Sequence, residues 1–148
     1  MSVKANKELV RRLVKEFWSN LTNLAVADEL LAPDFIFNYA PPNVKPNREV
    51  YKQVMSAYAV GFPDFHVTIE DMVAEGDKVA IRTTNRATNT GSFMGMPPTG
   101  KKTEVPQTSI FRIVDSKIIA EWTVANQLIA MQQMGLIPPM GKRQTNRP

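Results

Sequence analysis

The sequence has no cysteine and a single histidine, His66, among its 148 residues. The absence of thiols excludes disulfides, cysteine nucleophiles and thiolate metal ligands. One imidazole and scattered carboxylates form no cluster typical of a metal site, so no metal is expected. The sequence also has no glycine-rich phosphate loop and no serine in a nucleophile elbow. Thiol-based catalysis, a phosphate-binding loop, a transition-metal site and a nucleophile elbow are therefore not expected.

Long apolar runs are also missing, since none approaches the ~18 residues that a membrane span needs. The N-terminal residues carry charge without a following apolar block, so no signal peptide and no membrane partner are expected. Together with the lack of cysteine, this pattern is typical of a cytoplasmic protein.

The net charge of +4 is carried partly by a stripe of basic side chains that recur at helical spacing, Lys4, Lys7, Arg11 and Lys15. No aromatic side chains alternate with these charges, so a solvated helix face is favoured and nucleic acid binding is not expected. The length and the 43% apolar content suit one globular domain. We predict a domain over residues 1–138 followed by a basic tail over residues 139–148.

Helical periodicity comes first along the chain and strand alternation follows. Apolar residues at helical spacing cover residues 3–19, 24–31, 48–60 and 127–134. Short strand patterns cover residues 34–39 and then a long stretch from residue 64 to residue 125. Asn47 is placed to cap the third helix. This order predicts an α+β domain whose helices pack on one face of a curved antiparallel or mixed sheet.

Five segments, in order along the chain, resemble the SnoaL-like polyketide cyclases of the nuclear-transport-factor-2-like superfamily. They are Phe62-Pro63-Asp64-Phe65, residues 73–82, residues 95–101, Phe111-Arg112-Ile113 with Lys117-Ile118, and Glu121-Trp122 with the helix that precedes Leu136. The resemblance runs from about residue 6 to residue 138. It implies a cone-shaped α+β barrel with about three helices on its concave face and a short C-terminal helix. It also implies a homodimer formed through the sheet and a buried pocket for a hydrophobic small molecule.

The chemistry implied by the resemblance is ring closure by intramolecular aldol condensation, without metal or organic cofactor. The wider superfamily includes ketosteroid isomerases and epoxide hydrolases, so an ester cyclase or an isomerase is also compatible with the fold. In the family pattern, an aspartate four residues after the tryptophan of Glu-x-Trp acts as acid and base. Asn126 stands at that position here, and Asn89 replaces a histidine that is frequent in the family.

Three residues are candidates for a catalytic role. Asn126 can orient a carbonyl by hydrogen bonding, although an amide cannot take up a proton as a carboxylate does. Asn38 lies on the first strand, where the resemblance places a polar residue that faces substrate. His66 is the only imidazole, and a surface position is the alternative for it. Glu121 is interpreted as an outer-face partner of Arg82 or Arg112.

The candidates for binding substrate are mostly aromatic residues and methionines. They are Phe17, Trp18, Tyr39, Met55, Tyr58, Phe62, Met94, Met96, Gln107 and Trp122. Methionine adapts to irregular shapes, which suits a pocket for varied ligands. The alternative is that these side chains only fill the core, but buried amides such as Gln107 favour a pocket because they need a hydrogen-bonding partner.

Three functions remain open at this point. The first is a cofactor-independent cyclase or isomerase in which Asn38, Gln107 and Asn126 hold an oxyanion. The second is a non-catalytic protein that binds a hydrophobic small molecule. The third is a dimeric interaction module that uses the sheet as its dimer face and the basic stripe to contact an acidic partner.

Overall fold

The computed structural model describes residues 2–139, so the predicted basic tail lies outside the described residues except for Pro139. The helices are α1 Val3–Arg12, α2 Leu24–Leu30, α3 Arg48–Gly61 and α4 Gln127–Gln133. The strands are β1 Leu31–Phe37, β2 His66–Glu75, β3 Lys78–Thr88, β4 Lys102–Val114 and β5 Lys117–Ala125. The order of helices followed by strands is as predicted.

The five strands form one mixed sheet in the order β1-β5-β4-β3-β2. Strands β2 to β5 pair antiparallel with their neighbours, and β1 pairs parallel with β5 at the edge. The predicted α+β class and mixed curved sheet are confirmed, and the sheet does not close into a complete barrel. Strand β1 begins at Leu31 and contains Pro33, which an edge strand tolerates because it has no partner on one side.

Helix α1 is capped by Ser2, whose hydroxyl accepts a hydrogen bond from the Ala5 amide at 3.0 Å. The helix continues beyond Arg12 as a π-helical segment, Leu13–Trp18, where the sequence predicted an unbroken α-helix. π-helical turns are often found at functional sites. Here the segment ends with Trp18, whose indole reaches Tyr51 of α3.

The Asn47 cap of α3 is also as predicted, since its side chain accepts from the Val50 amide at 2.9 Å. Helix α3 packs beside β1 and buries Tyr51 completely. Tyr51 lies against Phe35 and Phe37 of β1, with ring centroids 5.0 and 5.3 Å away. These contacts close the space between the helices and the sheet on one side.

The inward-facing side chains of β3, β4 and β5 change character along each strand. At one end, which we call the packed end, they are the fully buried Val79, Ile81, Phe111, Ile113 and Ile118. At the other end, which we call the cavity end, they are Thr83, Asn85, Gln107, Ser109, Glu121 and Thr123. The apolar group packs against α1 and its π-helical segment, whereas Asn85, Gln107 and Thr123 of the polar group border an open space.

Candidate functional site

A cavity of about 360 Å³ lies between the helices and the cavity end of the sheet. That volume is within the range of small-molecule binding sites, roughly 300–1,000 Å³. One wall is aromatic and consists of Trp18, Tyr39, Tyr58, Phe62, Phe65 and Phe93. Helix α4 adds Gln127 and Ala130, and Met134 follows directly after the helix. The sheet contributes the polar side chains Asn85, Thr103, Gln107 and Thr123.

The aromatic wall is held together by contacts between α3 and the loop that follows β3. The Phe93 ring lies 4.9 Å from that of Tyr58 and 5.3 Å from that of Phe62, measured between centroids. This approach requires glycine at position 61, because a methyl group there would lie 2.8 Å from Phe93 Cβ. The loop is braced by Asn89, whose amide donates to the Gly61 carbonyl at 3.1 Å.

Asn89 is thereby assigned a structural role. Its side-chain oxygen also accepts from the Thr99 amide and from the Thr99 hydroxyl, both at 2.9 Å. The amide that replaces the family's histidine is buried and does not line the cavity.

A chain of hydrogen bonds crosses the sheet along the cavity end. The Asn85 amide donates to Gln107 Oε1 at 2.8 Å, and the Gln107 amide donates to Ser109 Oγ at 3.2 Å. The Ser109 hydroxyl lies 2.8 Å from that of Thr123. The strand register makes this chain possible, because it sets Ser109 directly opposite Thr123.

The chain ends at Glu121, which is 1% exposed. Its Oε2 accepts from the Thr123 hydroxyl at 2.7 Å, and its Oε1 accepts from the Tyr51 hydroxyl at 3.0 Å. Tyr51 in turn accepts from the Trp18 indole at 2.8 Å. Both carboxylate oxygens are therefore hydrogen-bonded, as burial of this group requires.

Burial dominates the acid–base properties of this cluster. It raises the pKa of Glu121 from 4.5 to about 7, although hydrogen bonds from Tyr39, Thr123 and Tyr51 partly offset the effect. Burial, together with the nearby Glu121 charge, raises the pKa of Tyr39 and Tyr51 well above the ordinary value. Glu121 can therefore hold or release a proton near neutral pH, whereas the tyrosines stay neutral.

The prediction that Glu121 lies on the outer face is wrong, and a β-bulge is the reason. The pairing of β5 with β4 passes from Ile118 to Ala120, which leaves Ile119 as an extra residue. An extra residue reverses the alternation of the following side chains. Glu121 then faces inward and Trp122 faces outward. The expected partners are occupied elsewhere: Arg82 pairs with Asp71 at 2.7 Å and Arg112 pairs with Asp77 at 2.8 Å.

The three predicted catalytic residues lie outside the cavity lining. Asn126 is exposed and caps α4, its Oδ1 accepting from the Ile129 amide at 3.1 Å. Asn38 is exposed, and its Oδ1 accepts from the Thr123 backbone amide at 2.9 Å, which helps to fix Thr123. His66 is exposed at the start of β2, with Nδ1 3.2 Å from the Asp64 carbonyl. Their positions correct the expectation that these groups project into the hollow.

Six of the ten residues predicted to bind substrate do line the cavity, and their contact with a ligand stays a prediction. They are Trp18, Tyr39, Met55, Tyr58, Phe62 and Gln107. Phe17 belongs to the solid core instead. Met94 and Met96 are exposed on the loop, Met94 to 79%, because Phe93 occupies the inward position between the loop and α3. Trp122 is 42% exposed on the outer face because of the bulge.

Sequence reasoning missed several lining residues, among them Phe65, Asn85, Phe93, Val105 and Thr123. A signal for two of them was available. Asn85 is four residues from the buried Ile81 on β3, and Val105 is six residues from the buried Phe111 on β4. Because side chains alternate between the two faces of a strand, each points to the same inner face as its buried neighbour. Thr123 lies beyond the bulge in β5, and its inward orientation could not be predicted because no sequence pattern indicated the bulge.

Within the described residues, no helix combines the length and apolar character needed to cross a membrane. Nor do three or more His, Asp or Glu side chains of residues 2–139 converge as a metal site would require.

The sequence and the fold both have clear relatives. Residues 8–134 match the profile of the SnoaL-like polyketide cyclases. The crystal structure of IdmH from Streptomyces antibioticus, a proposed polyketide cyclase, is 30% identical, with 88% of this chain and 98% of that chain covered and a TM-score of 0.76. AclR from Streptomyces galilaeus, a proposed hydroxylase, is 27% identical, with 95% and 87% covered and a TM-score of 0.82. A proposed SnoaL-like cyclase from Jannaschia sp. CCS1 is 28% identical, with 91% and 94% covered and a TM-score of 0.79. No curated protein matches the sequence.

Proposed function

Because the chain belongs to the SnoaL-like polyketide cyclase family, we propose that it binds an apolar small molecule with carbonyl oxygens and moves a proton so that the molecule cyclises or isomerises. No organic cofactor takes part in this proposal. The observation that carries it is the cavity itself, in which an aromatic wall faces a row of amides and hydroxyls. Such a site holds a flat apolar body and aligns the oxygens along one edge of it.

The polar row is suited to stabilising negative charge on a ligand oxygen. Within the described residues, the Asn85 amide donates one hydrogen to Gln107, and the Gln107 amide donates one to Ser109. The second hydrogen of each amide remains for a ligand, because a side-chain amide carries two. Donors that are already held in place before a charge develops are the strongest source of enolate stabilisation.

The names of the similar structures include both a cyclase and a hydroxylase, so the fold alone does not select the reaction. Proton transfer next to a carbonyl is favoured over non-catalytic binding because the row of donors ends at a buried carboxyl group with a pKa of about 7. Asn126 is not required in this scheme, since its side chain caps α4 outside the cavity.

The binding half of the proposal is tested by filling the cavity. Ala130 of α4 faces the cavity, and Ala130→Phe places a ring where the ligand would lie. Leu128→Phe, on the exposed side of the same helix, is the matched control. With 2-naphthol as probe, we expect tight binding by the native protein and by L128F, and a loss of about 10-fold or more in A130F. Equal binding by all three proteins would contradict the proposal.

The catalytic half is tested with 2-tetralone, a bicyclic ketone with acidic hydrogens next to its carbonyl. Proton NMR in deuterated water measures how fast these hydrogens exchange. We expect the native protein to accelerate the exchange and A130F to lose the acceleration. A protein that binds the ketone and does not exchange its hydrogens would instead be the non-catalytic binder.

The outer face of the sheet supports a further proposal, a homodimer. Val73, Ala80, Ile110 and Trp122 lie side by side across β2, β3, β4 and β5, as the strand registers show. Three of them are large and exposed, namely Val73, Ile110 and Trp122. A contiguous apolar row on a sheet face is typical of an interface. We expect light scattering to give twice the chain mass and Ile110→Glu to give the monomer mass; a native monomer would contradict the dimer.

A further inference from the structure

We propose that Glu121 stores the proton of the reaction and exchanges it with the ligand through the hydroxyl of Thr123. The inference rests on the proposed function and deepens it, because it assigns the group that replaces the missing aspartate. Glu121 acts as a positioning residue for the proton, since it does not line the cavity, whereas Thr123 does.

The geometry of the Glu121–Thr123 pair supports this route. Glu121 is buried without lining the cavity, and its carboxylate oxygens accept from Tyr51 and Thr123. The Thr123 Oγ1 atom is 2.7 Å from Glu121 Oε2, and Thr123 is also one of the residues that line the cavity. A hydroxyl in this position can receive a proton on one side and give its own on the other, which moves a proton without moving a side chain.

The hydrogen bonds around Glu121 have directions that fit the same route. The Trp18 indole can only donate, so the Tyr51 oxygen accepts from it and the Tyr51 hydrogen is directed to Glu121 Oε1. When Glu121 is ionised, Thr123 donates to Oε2 as well. When Glu121 is protonated, its hydrogen can point from Oε2 to Thr123, because Tyr51 already donates to Oε1. The Thr123 hydrogen is then released toward Ser109 or the cavity.

The proton balance of a ring closure follows from this arrangement. As the carbon next to the ligand carbonyl loses its proton to Thr123 Oγ1, the hydrogen of that hydroxyl passes to the Glu121 carboxylate. The enolate carbon then attacks the second carbonyl and forms the new carbon–carbon bond. The resulting alkoxide takes the Thr123 hydrogen as Glu121 returns its own to Oγ1. The side chains end as they began, and no further reactant is needed.

Both forms of Glu121 are present near neutrality because burial raises its pKa to about 7. The ionisable groups that face it are Tyr51 from α3 and Tyr39 from the segment after β1, and both stay neutral in that range because their own pKa values are raised. No other ionisable side chain of residues 2–139 contributes to the pKa of Glu121. A pH dependence of the reaction with a midpoint near 7 is therefore attributable to Glu121.

The test compares Glu121→Gln, Thr123→Val and Thr123→Ser in the exchange of 2-tetralone hydrogens, with 2-naphthol binding measured in parallel. We expect E121Q and T123V to lose on the order of 100-fold in exchange while binding naphthol as the native protein does. T123S keeps the hydroxyl and should stay within a few-fold of native. Thr108→Val, on the outer face of β4, is the matched control and should exchange at the native rate.

The pH profile separates a proton-holding role from a merely structural one. Native exchange should follow a curve with a midpoint near 7, and this midpoint should disappear in E121Q. If E121Q fails to fold, T123V and an infrared titration of the native carboxyl group decide instead. A buried acid band that titrates near pH 7 and responds to naphthol supports the inference, and a band without such a response overturns it.

Failure of this inference can be told from failure of the proposed function. Native exchange that persists unchanged in E121Q or T123V overturns the Glu121–Thr123 route and leaves the function intact. Tyr39 also lines the cavity beside Glu121, so loss in Tyr39→Phe without loss in T123V would assign the route to Tyr39 and overturn the role of Thr123. A native protein that binds without exchange refutes both the catalytic function and the inference.

Discussion

At the packed end of strands β3 and β4, Val79, Ile81 and Phe111 face inward and are buried against helices. A few residues farther along the same strands, Asn85, Gln107 and their neighbours face the same side. The two ends share a backbone geometry and a register, yet one is a solid core and the other borders a hollow of about 360 Å³.

The difference shows how one sheet divides between a packed core and a hollow lined by polar groups. The packed end gains from the removal of apolar surface from water, at about 25 cal/mol per Å². The cavity end forgoes part of that gain, and its polar groups must satisfy one another instead. They do so in a single connected chain from Asn85 to Glu121, so that a change at one member affects the others.

The largest expected effect concerns Glu121 and the pH dependence of stability. Burial raises its pKa from the ordinary value of 4.5 to about 7, so the folded chain retains a proton that an unfolded chain loses between these values. The free energy of unfolding should therefore fall by about 3 kcal/mol as the pH rises from below 4.5 to above 7. Urea unfolding at several pH values measures this fall.

Glu121→Gln is the control for that measurement, because it removes the titrating group and keeps the shape. The native protein should lose unfolding free energy between pH 4.5 and 7, and the variant should not. Asp64 and Asp77 do not confuse the comparison, because their lowered pKa values place their own effect on stability at lower pH. If the unfolding free energies of the native protein and E121Q changed with pH in parallel, Glu121 would not retain a proton in the folded chain.

A matched pair of valines compares the two ends directly. Val79→Ala removes two methyl groups from the packed end and should cost about 2 kcal/mol, because the transfer loss is joined by the cavity it leaves. Val105→Ala makes the same change where the side chain already borders the hollow, and should cost about 1 kcal/mol. Urea midpoints at constant m-value give both numbers. Equal losses would show that the cavity end is packed as tightly as the core.

The smallest effect is expected at Asn126, which borders neither the core nor the hollow. Asn126→Ala should lose about 1 kcal/mol of unfolding free energy, because the cap of α4 is removed. Asn126→Asp keeps an oxygen that can cap the helix and should be nearly neutral in thermal unfolding. Neither variant should change the affinity for 2-naphthol. If N126D instead gained exchange of 2-tetralone hydrogens, residue 126 would reach the ligand after all.

The fold was predictable from local patterns because each element carries its own period and stop signals. Asn47 caps α3 as predicted, and the stretch of strand patterns from residue 64 to residue 125 forms β2 to β5. The change from α to π geometry at Leu13 was not predictable, since the apolar spacing fits a helix of either kind over so few residues. The exposure of Met94 and Met96 was not predictable either, because a loop has no regular periodicity from which the inward-facing residue could be identified.

By itself, then, the sequence determined the order of elements through the spacing of its apolar residues, and five of its segments resembled the family. Six of the side chains predicted to line a pocket do line the cavity. The tertiary structure alone decided which group can hold a proton. One extra residue in β5 turns Glu121 inward, and its partner Tyr51 lies 70 positions away in the chain. Burial and hydrogen bonding between distant residues set a pKa, and neither is visible until the strands and helices have assembled.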